Sequence, residues 1–114
     1  MIGIKRVYEK PDNGDGIRVL IDRLWPRGLK KEDAAIDYWM KEIAPSDTLR
    51  KWFAHKEERW QEFKSRYRKE LKDKSELLKQ LIDLEKKKKV TLLYAAKDEA
   101  RNNAEVLLEV LKKK

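Results

Sequence analysis

The chain has 114 residues, a net charge of +8 and no cysteine. That length suits one hydrophobic core and a single domain over 1–114, and the missing cysteines exclude disulfides, thiolate nucleophiles and Cys-ligated metals. Apolar residues make up 40% and charged residues 44% of the sequence, a thin apolar supply that four Trp, four Tyr and two Phe supplement with large packing units.

Residues 4–8 have the branched, apolar character of a short strand, and the run Glu9-Lys10-Pro11-Asp12-Asn13-Gly14-Asp15-Gly16 is dense turn chemistry. Residues 17–22 are apolar apart from Arg18 and predict a buried strand. The connection between these strands is too short for a usual parallel crossover, which favours an antiparallel pair or strands that are not neighbours. Residues 31–43 carry Ile36, Trp39, Met40 and Ile43 at helical spacing and predict a helix stopped by Pro45. Ser46 is the predicted N-cap of a short helix running through Phe53, and Trp60, Phe63, Tyr67 and Leu71 mark the core stripe of a longer one after His55. Ser75 opens a further helix whose Leu77, Leu78, Leu81, Ile82 and Leu84 face inward. The run Lys86-Lys87-Lys88-Lys89 ends it. Residues 90–95 form a second buried strand, and Asp98 is a candidate N-cap for a last helix that buries Ala100, Ala104, Leu107, Leu108 and Leu111. The expected fold is α/β: a small mixed or mostly parallel sheet of about three or four strands packed with about five helices.

The positive balance invites a polyanion partner, since clustered Lys and Arg bind phosphates by releasing counterions. The Lys runs, however, sit at helix ends, where cations complement the negative helix terminus and aid solubility. No apolar run approaches membrane-spanning length, and the start Met1-Ile2-Gly3-Ile4-Lys5-Arg6 has no long apolar segment behind its charges. A cytoplasmic protein without a membrane partner is expected. The Lys and Glu bias also fits a heat-adapted surface.

Chemistry concentrates in Asp22-Arg23-Leu24-Trp25-Pro26-Arg27-Gly28, directly after the first buried strand. Arg23 and Arg27 offer planar forks for carboxylate or phosphate, and Trp25 offers a face for a base or a cation. No nucleophile-base set, metal-ligand cluster or phosphate-loop pattern accompanies the run, so no cofactor and no metal is expected. If strands 17–22 and 90–95 are parallel, the segments that follow them emerge on one sheet edge, the edge where open α/β sheets bind ligands. Asp22, Arg23, Trp25 and Arg27 would then meet Tyr94, Lys97 and Asp98, beside the amino end of the last helix.

Each candidate has two roles open to it. Asp22 is either a general base or the acid that orients a guanidinium. Trp25 either stacks on a ligand or plugs the core, and Tyr94 either hydrogen-bonds a ligand or covers the sheet. His55, the only histidine, is the one side chain that titrates near neutrality before perturbation, and it is either an acid-base group or a cap between helices. Asn102 and Asn103 sit where Asn disfavours a helix interior, which points one of them towards the cleft.

The run from Arg18 to Gly28, the segment Ala44-Pro45-Ser46 with Leu49-Arg50, Phe53 and His55, then Trp60, Phe63, Arg66-Tyr67 and Leu71, and finally Thr91-Leu92-Leu93-Tyr94-Ala95-Ala96-Lys97-Asp98 with Asn102 and Ala104 carry a resemblance over nearly the whole chain. They resemble the small bacterial and archaeal YeaO-like proteins within domain of unknown function 488. The resemblance implies a compact α/β domain and supplies no activity. Longer relatives of the wider family have a similar Asp-Arg element with a nearby Pro after one strand, and a Cys-His-Arg element early in the last helix. This chain departs from the second at Asn102-Asn103-Ala104, so thiol chemistry does not carry over.

The expectation is a cleft that binds an anionic small molecule, a phosphate-bearing nucleotide or a nucleic-acid segment. Arg18, Arg23, Arg27 and Lys97 would neutralise charge, Trp25 and Tyr94 would stack or cover, Asp22 and Asp98 would orient, and Asn102 is a further ligand-binding candidate. A small hydrolase or transferase using Asp22 or His55 as acid-base is the enzymatic alternative. An accessory protein using the cleft as a partner interface is the third.

Overall fold

A computed structural model describes residues 1–114. Strands β1 (Ile2–Arg6), β2 (Ile17–Leu20), β3 (Tyr38–Trp39) and β4 (Val90–Tyr94) form one sheet in the order β1-β4-β2-β3, with every pairing parallel. Five α-helices accompany it: α1 (Lys31–Ala34), α2 (Asp47–Phe53), α3 (Trp60–Lys72), α4 (Ser75–Lys87) and α5 (Asn103–Lys112). The antiparallel leaning for the first two strands is corrected. β1 and β2 are not neighbours, because β4 enters between them and pairs in parallel with both, Ile2 and Ile17 each lying opposite Val90.

The central position of β4 explains its composition. All five of its residues are buried, as expected for a strand covered on both faces. Side chains alternate across the sheet. Val19, Ile21, Val90, Leu92 and Tyr94 join a 17-residue cluster with the inward faces of α2 to α5, while Leu20 and Leu93 join Val7 in a small second cluster. That second face is covered by Trp25, Leu29 and Ile36 from the segment joining β2 to β3, together with Trp39 of β3.

The helix expected over 31–43 is also corrected. α1 is a single turn ended by Ala35 in the left-handed conformation (φ 49°), then Tyr38–Trp39 pairs with β2 and Lys41–Ile43 makes a 3-10 turn. The apolar spacing that imitated a helix serves two faces of the sheet instead. Ile36 and Trp39 pack in the small cluster, Met40 and Ile43 in the large one.

Ser46 caps α2 as expected, its side chain accepting from Leu49 N at 3.2 Å. Ser75 begins α4 without acting as a side-chain cap. Asp98 does not cap α5. Its carboxylate accepts from Ala100 N and Arg101 N, both at 2.9 Å, in a turn of its own, and Asn102 caps the helix by accepting from Glu105 N at 3.0 Å. Ala100 is accordingly exposed, against expectation. At the entry to β2, Gly16 has φ 68°, and a Cβ there would lie 2.3 Å from the Lys89 carbonyl oxygen, the group that accepts from Ile17 N. Only glycine fits that approach. No helix is long and apolar enough to cross a membrane.

Candidate functional site

A cleft of about 310 Å³ opens at the carboxyl ends of three parallel strands. Tyr8 follows β1, the segment from Asp22 to Arg27 follows β2, and Ala95 and Ala96 follow β4. Ala44, Pro45, Arg50, Phe53 and His55 close one side, and Phe63 and the start of α5 complete the wall. This is the edge where open α/β sheets present ligand sites.

Asp22 joins the two central strands at that edge. Its Oδ2 accepts from Ala95 N at 2.8 Å and its Oδ1 from Asn103 Nδ2 at 3.0 Å, while its own carbonyl accepts from the Trp39 indole N–H at 2.7 Å. Burial pushes the carboxyl above the usual Asp range, and the Asn103 bond, the Ala95 bond and the His55 charge pull against that shift. The turn after β2 therefore lies beside the turn after β4, as the parallel-strand argument requires.

Four arginines line the cleft against one carboxylate. Arg23 is partly spent on the backbone, donating from Nε to the Pro45 carbonyl at 3.2 Å and from Nη2 to the Ala44 carbonyl at 3.3 Å, and it lies 3.9 Å from Asp47. Arg50 pairs with Asp47 at 3.2 Å, and Arg101 with Glu57 at 2.6 Å and Asp98 at 3.5 Å. The Arg27 guanidinium has no hydrogen-bond or ion-pair partner. Only its backbone is engaged, its carbonyl accepting from Tyr8 OH at 2.9 Å. It is exposed and is the uncommitted cation of the cleft.

Trp25 is half-buried. Its indole donates to the Leu29 carbonyl at 2.7 Å and meets Trp39 edge-on at 5.4 Å, so one part of the ring fixes the turn while the residue also lines the cleft. His55 is exposed on the cleft wall, on a backbone where both it and Ala54 adopt positive φ, 57° and 46°. For residues with a Cβ that conformation is strained.

Several expected site residues lie elsewhere. Arg18 is buried under the opposite face, donating to Asp15 at 2.5 Å and to the carbonyls of Ala34 at 2.8 Å and Ala35 at 2.9 Å. It is a structural cation and does not line the cleft. Tyr94 points into the large core, where burial pushes its phenol up. Lys97 is exposed away from the lining, and Asp98 is occupied with its own turn, whose N–H donors hold its carboxyl below the usual range. Asn102 does line the cleft, but both ends of its amide are used, in the α5 cap and on the Asp98 carbonyl at 3.0 Å. Sequence reasoning missed Arg50, Arg101 and Tyr8. Placing β1 parallel to β4 would have brought Tyr8 to this edge, whereas nothing local marks the two arginines.

Fold and site together define an α/β protein with a parallel sheet and a basic, aromatic-lined cleft at its carboxyl edge. The chain belongs to the DUF488 family: residues 1–114 match a model described as the "Inactive DUF488-N3 subclade". It is 46% identical over 111 residues to "Uncharacterized protein YeaO" of Escherichia coli K12, covering 97% of this chain and 96% of that protein. It is 44% identical over 110 residues to "Uncharacterized protein Rv3073c" of Mycobacterium tuberculosis H37Rv and to "Uncharacterized protein Mb3100c" of Mycobacterium bovis, covering 96% of this chain and 92% of each. No solved structure matches the chain.

Proposed function

We propose that the chain is a binding protein for a small, phosphate-bearing anion, held in the cleft between the carboxyl ends of β2 and β4. The observation that carries this reading is the lining itself, with four arginines against one carboxylate and the Arg27 guanidinium free of any partner. A guanidinium of this kind is matched to the paired oxygens of a phosphate. The start of α5 adds the partial positive charge of a helix amino end on the same wall. A cleft of about 310 Å³ lies at the small end of ligand pockets and suits one small molecule better than an extended polymer.

Binding is favoured over catalysis by the lining, which contains no Ser, Thr, Lys or Cys to act as a nucleophile. The description of the matching subclade as inactive agrees with this reading.

Thermal unfolding in phosphate and in chloride at equal ionic strength tests it. A ligand that binds only the folded chain stabilises it by about 2.7 kcal/mol at a hundredfold excess over Kd, so Tm should climb with phosphate concentration. Arg27→Ala should keep its Tm in chloride and lose the phosphate response. Equal Tm in the two salts, or an undiminished response in Arg27→Ala, contradicts the proposal.

A further inference from the structure

The cleft has a second chemical character at its inner end. Asn103 spends both amide hydrogens inward, on the Ile21 carbonyl at 3.1 Å and on Asp22 Oδ1 at 3.0 Å. Two oxygens facing that nitrogen fix the amide orientation, because the flipped amide would set oxygen against oxygen. The Asn103 Oδ1 consequently has no partner within the protein. Since no buried side-chain polar atom is left unsatisfied, this oxygen reaches solvent, and the space Asn103 lines is the cleft. Beside it stands the Asp22 carboxylate, with one hydrogen bond on each oxygen and a lone pair left on each. The inner end thus offers acceptors and the outer end offers the Arg27 cation. The same lining includes the rings of Tyr8, Trp25, Phe53, His55 and Phe63, of which Phe53 and Phe63 belong to the buried core.

Resting on the phosphate-binding reading above, we infer that the cleft selects a nucleotide whose base carries an exocyclic amine. The amine donates to Asp22 and Asn103, the base lies against the rings of the lining, and the phosphate meets Arg27. A base that presents a carbonyl at the same position would set its oxygen against the Asp22 carboxylate and Asn103 Oδ1, leaving all three without a proton between them. The partly desolvated Asp22 charge also gains from one more donor, in agreement with its raised pKa. The same chemistry is carried by a free mononucleotide and by the end of a single strand, so the test includes both.

The experiment is isothermal titration of the full chain with AMP, IMP, CMP and UMP, with inorganic phosphate and with the 5′-phosphorylated trinucleotides of adenine and uracil. AMP should bind about tenfold or more tightly than IMP, and CMP than UMP, the loss expected when a hydrogen-bonded pair is replaced by two facing acceptors. Asn103→Ser, which shortens the side chain and withdraws the amide acceptor, should reduce the AMP to IMP ratio. The ratio in the wild type decides the matter even if that variant folds poorly. Discrimination seen only between the trinucleotides supports the same recognition with a strand end as its source. Equal affinities within each pair overturn the amine recognition while phosphate binding stands. No binding of phosphate or any nucleotide overturns both readings.

Discussion

Asn103 reaches across 81 residues of sequence to donate to Asp22 Oδ1 at 3.0 Å, and the same nitrogen holds the Ile21 carbonyl at 3.1 Å. The first residue of α5 is thereby tied to the end of β2, and the cleft edge is set by this link together with the bond from Ala95 N to Asp22. Asn103→Leu removes the donor at similar volume and leaves a partly buried carboxylate short of a partner. The variant is expected to lose about 1.5–3 kcal/mol in urea unfolding at neutral pH, the range for hydrogen bonds to charged groups. A change indistinguishable from zero would show that the link does not hold the edge together.

Asp22 gives the pH dependence a definite sign. Its carboxyl is raised from 3.8 by burial, so the folded chain holds that proton more tightly than the unfolded chain does. The stability linked to Asp22 is therefore fully present below the unfolded value and is lost as pH climbs through the raised folded value. The stability of the wild type relative to Asp22→Asn should fall as pH rises from the acid side towards neutrality. Urea midpoints of the two proteins across that range read the difference directly, and a difference that is flat or rises with pH contradicts the assignment.

Arg18 separates a structural cation from a ligand-binding one. Its side chain is 5% exposed and holds Asp15 and the end of α1, with Lys5 3.1 Å from the same carboxylate. Arg18→Met should cost about 3–5 kcal/mol, because it strips a buried acid of its closest partner. At a temperature where the variant is folded, its phosphate response should equal that of the wild type. A lost response would return Arg18 to the site.

Two glycines with positive φ should behave differently. Gly28 has φ 76° and no atom within 4 Å of a Cβ, so Gly28→Ala carries the backbone strain alone, about 1 kcal/mol. Gly16→Ala adds a contact with the Lys89 carbonyl that only a shift of the β2–β4 pairing can relieve, and should cost about 3 kcal/mol. Chemical denaturation of both variants checks the order, and equal losses would place the β2 entry further from β4.

What the sequence made legible follows from which physical signals are local. β2 and β4 were readable because burial on both faces produces near-continuous apolar runs, and the Ser46 cap because a hydroxyl before Asp47 and Leu49 is a short-range signal. The segment around Trp39 was not. Its apolar residues fall at helical spacing, yet Met40 N donates to the Leu20 carbonyl and the Trp39 indole to the Asp22 carbonyl, pairings that depend on a strand about twenty residues earlier. At the site, the turn from Asp22 to Arg27 stood out by composition. Arg50 and Arg101 reach the same cleft through α2 and the turn before α5, and their sequence neighbourhoods look like ordinary charged surface. Asn102 could have been placed as the α5 cap from Asn preference alone, had Asp98 not offered a competing cap four residues earlier.

The central claim is that one cleft at the carboxyl edge of β2 and β4 takes the ligand. A ¹H–¹⁵N NMR titration with AMP tests it residue by residue. The account predicts the largest shifts at the amides of Arg23, Arg27, Ala95, Ala96 and Asn103 and at the Trp25 indole, with the amides of residues 86–89 and 112–114 unmoved. Shifts confined to those lysine runs would mean that the positive charge binds anions at the helix ends and that the cleft does not.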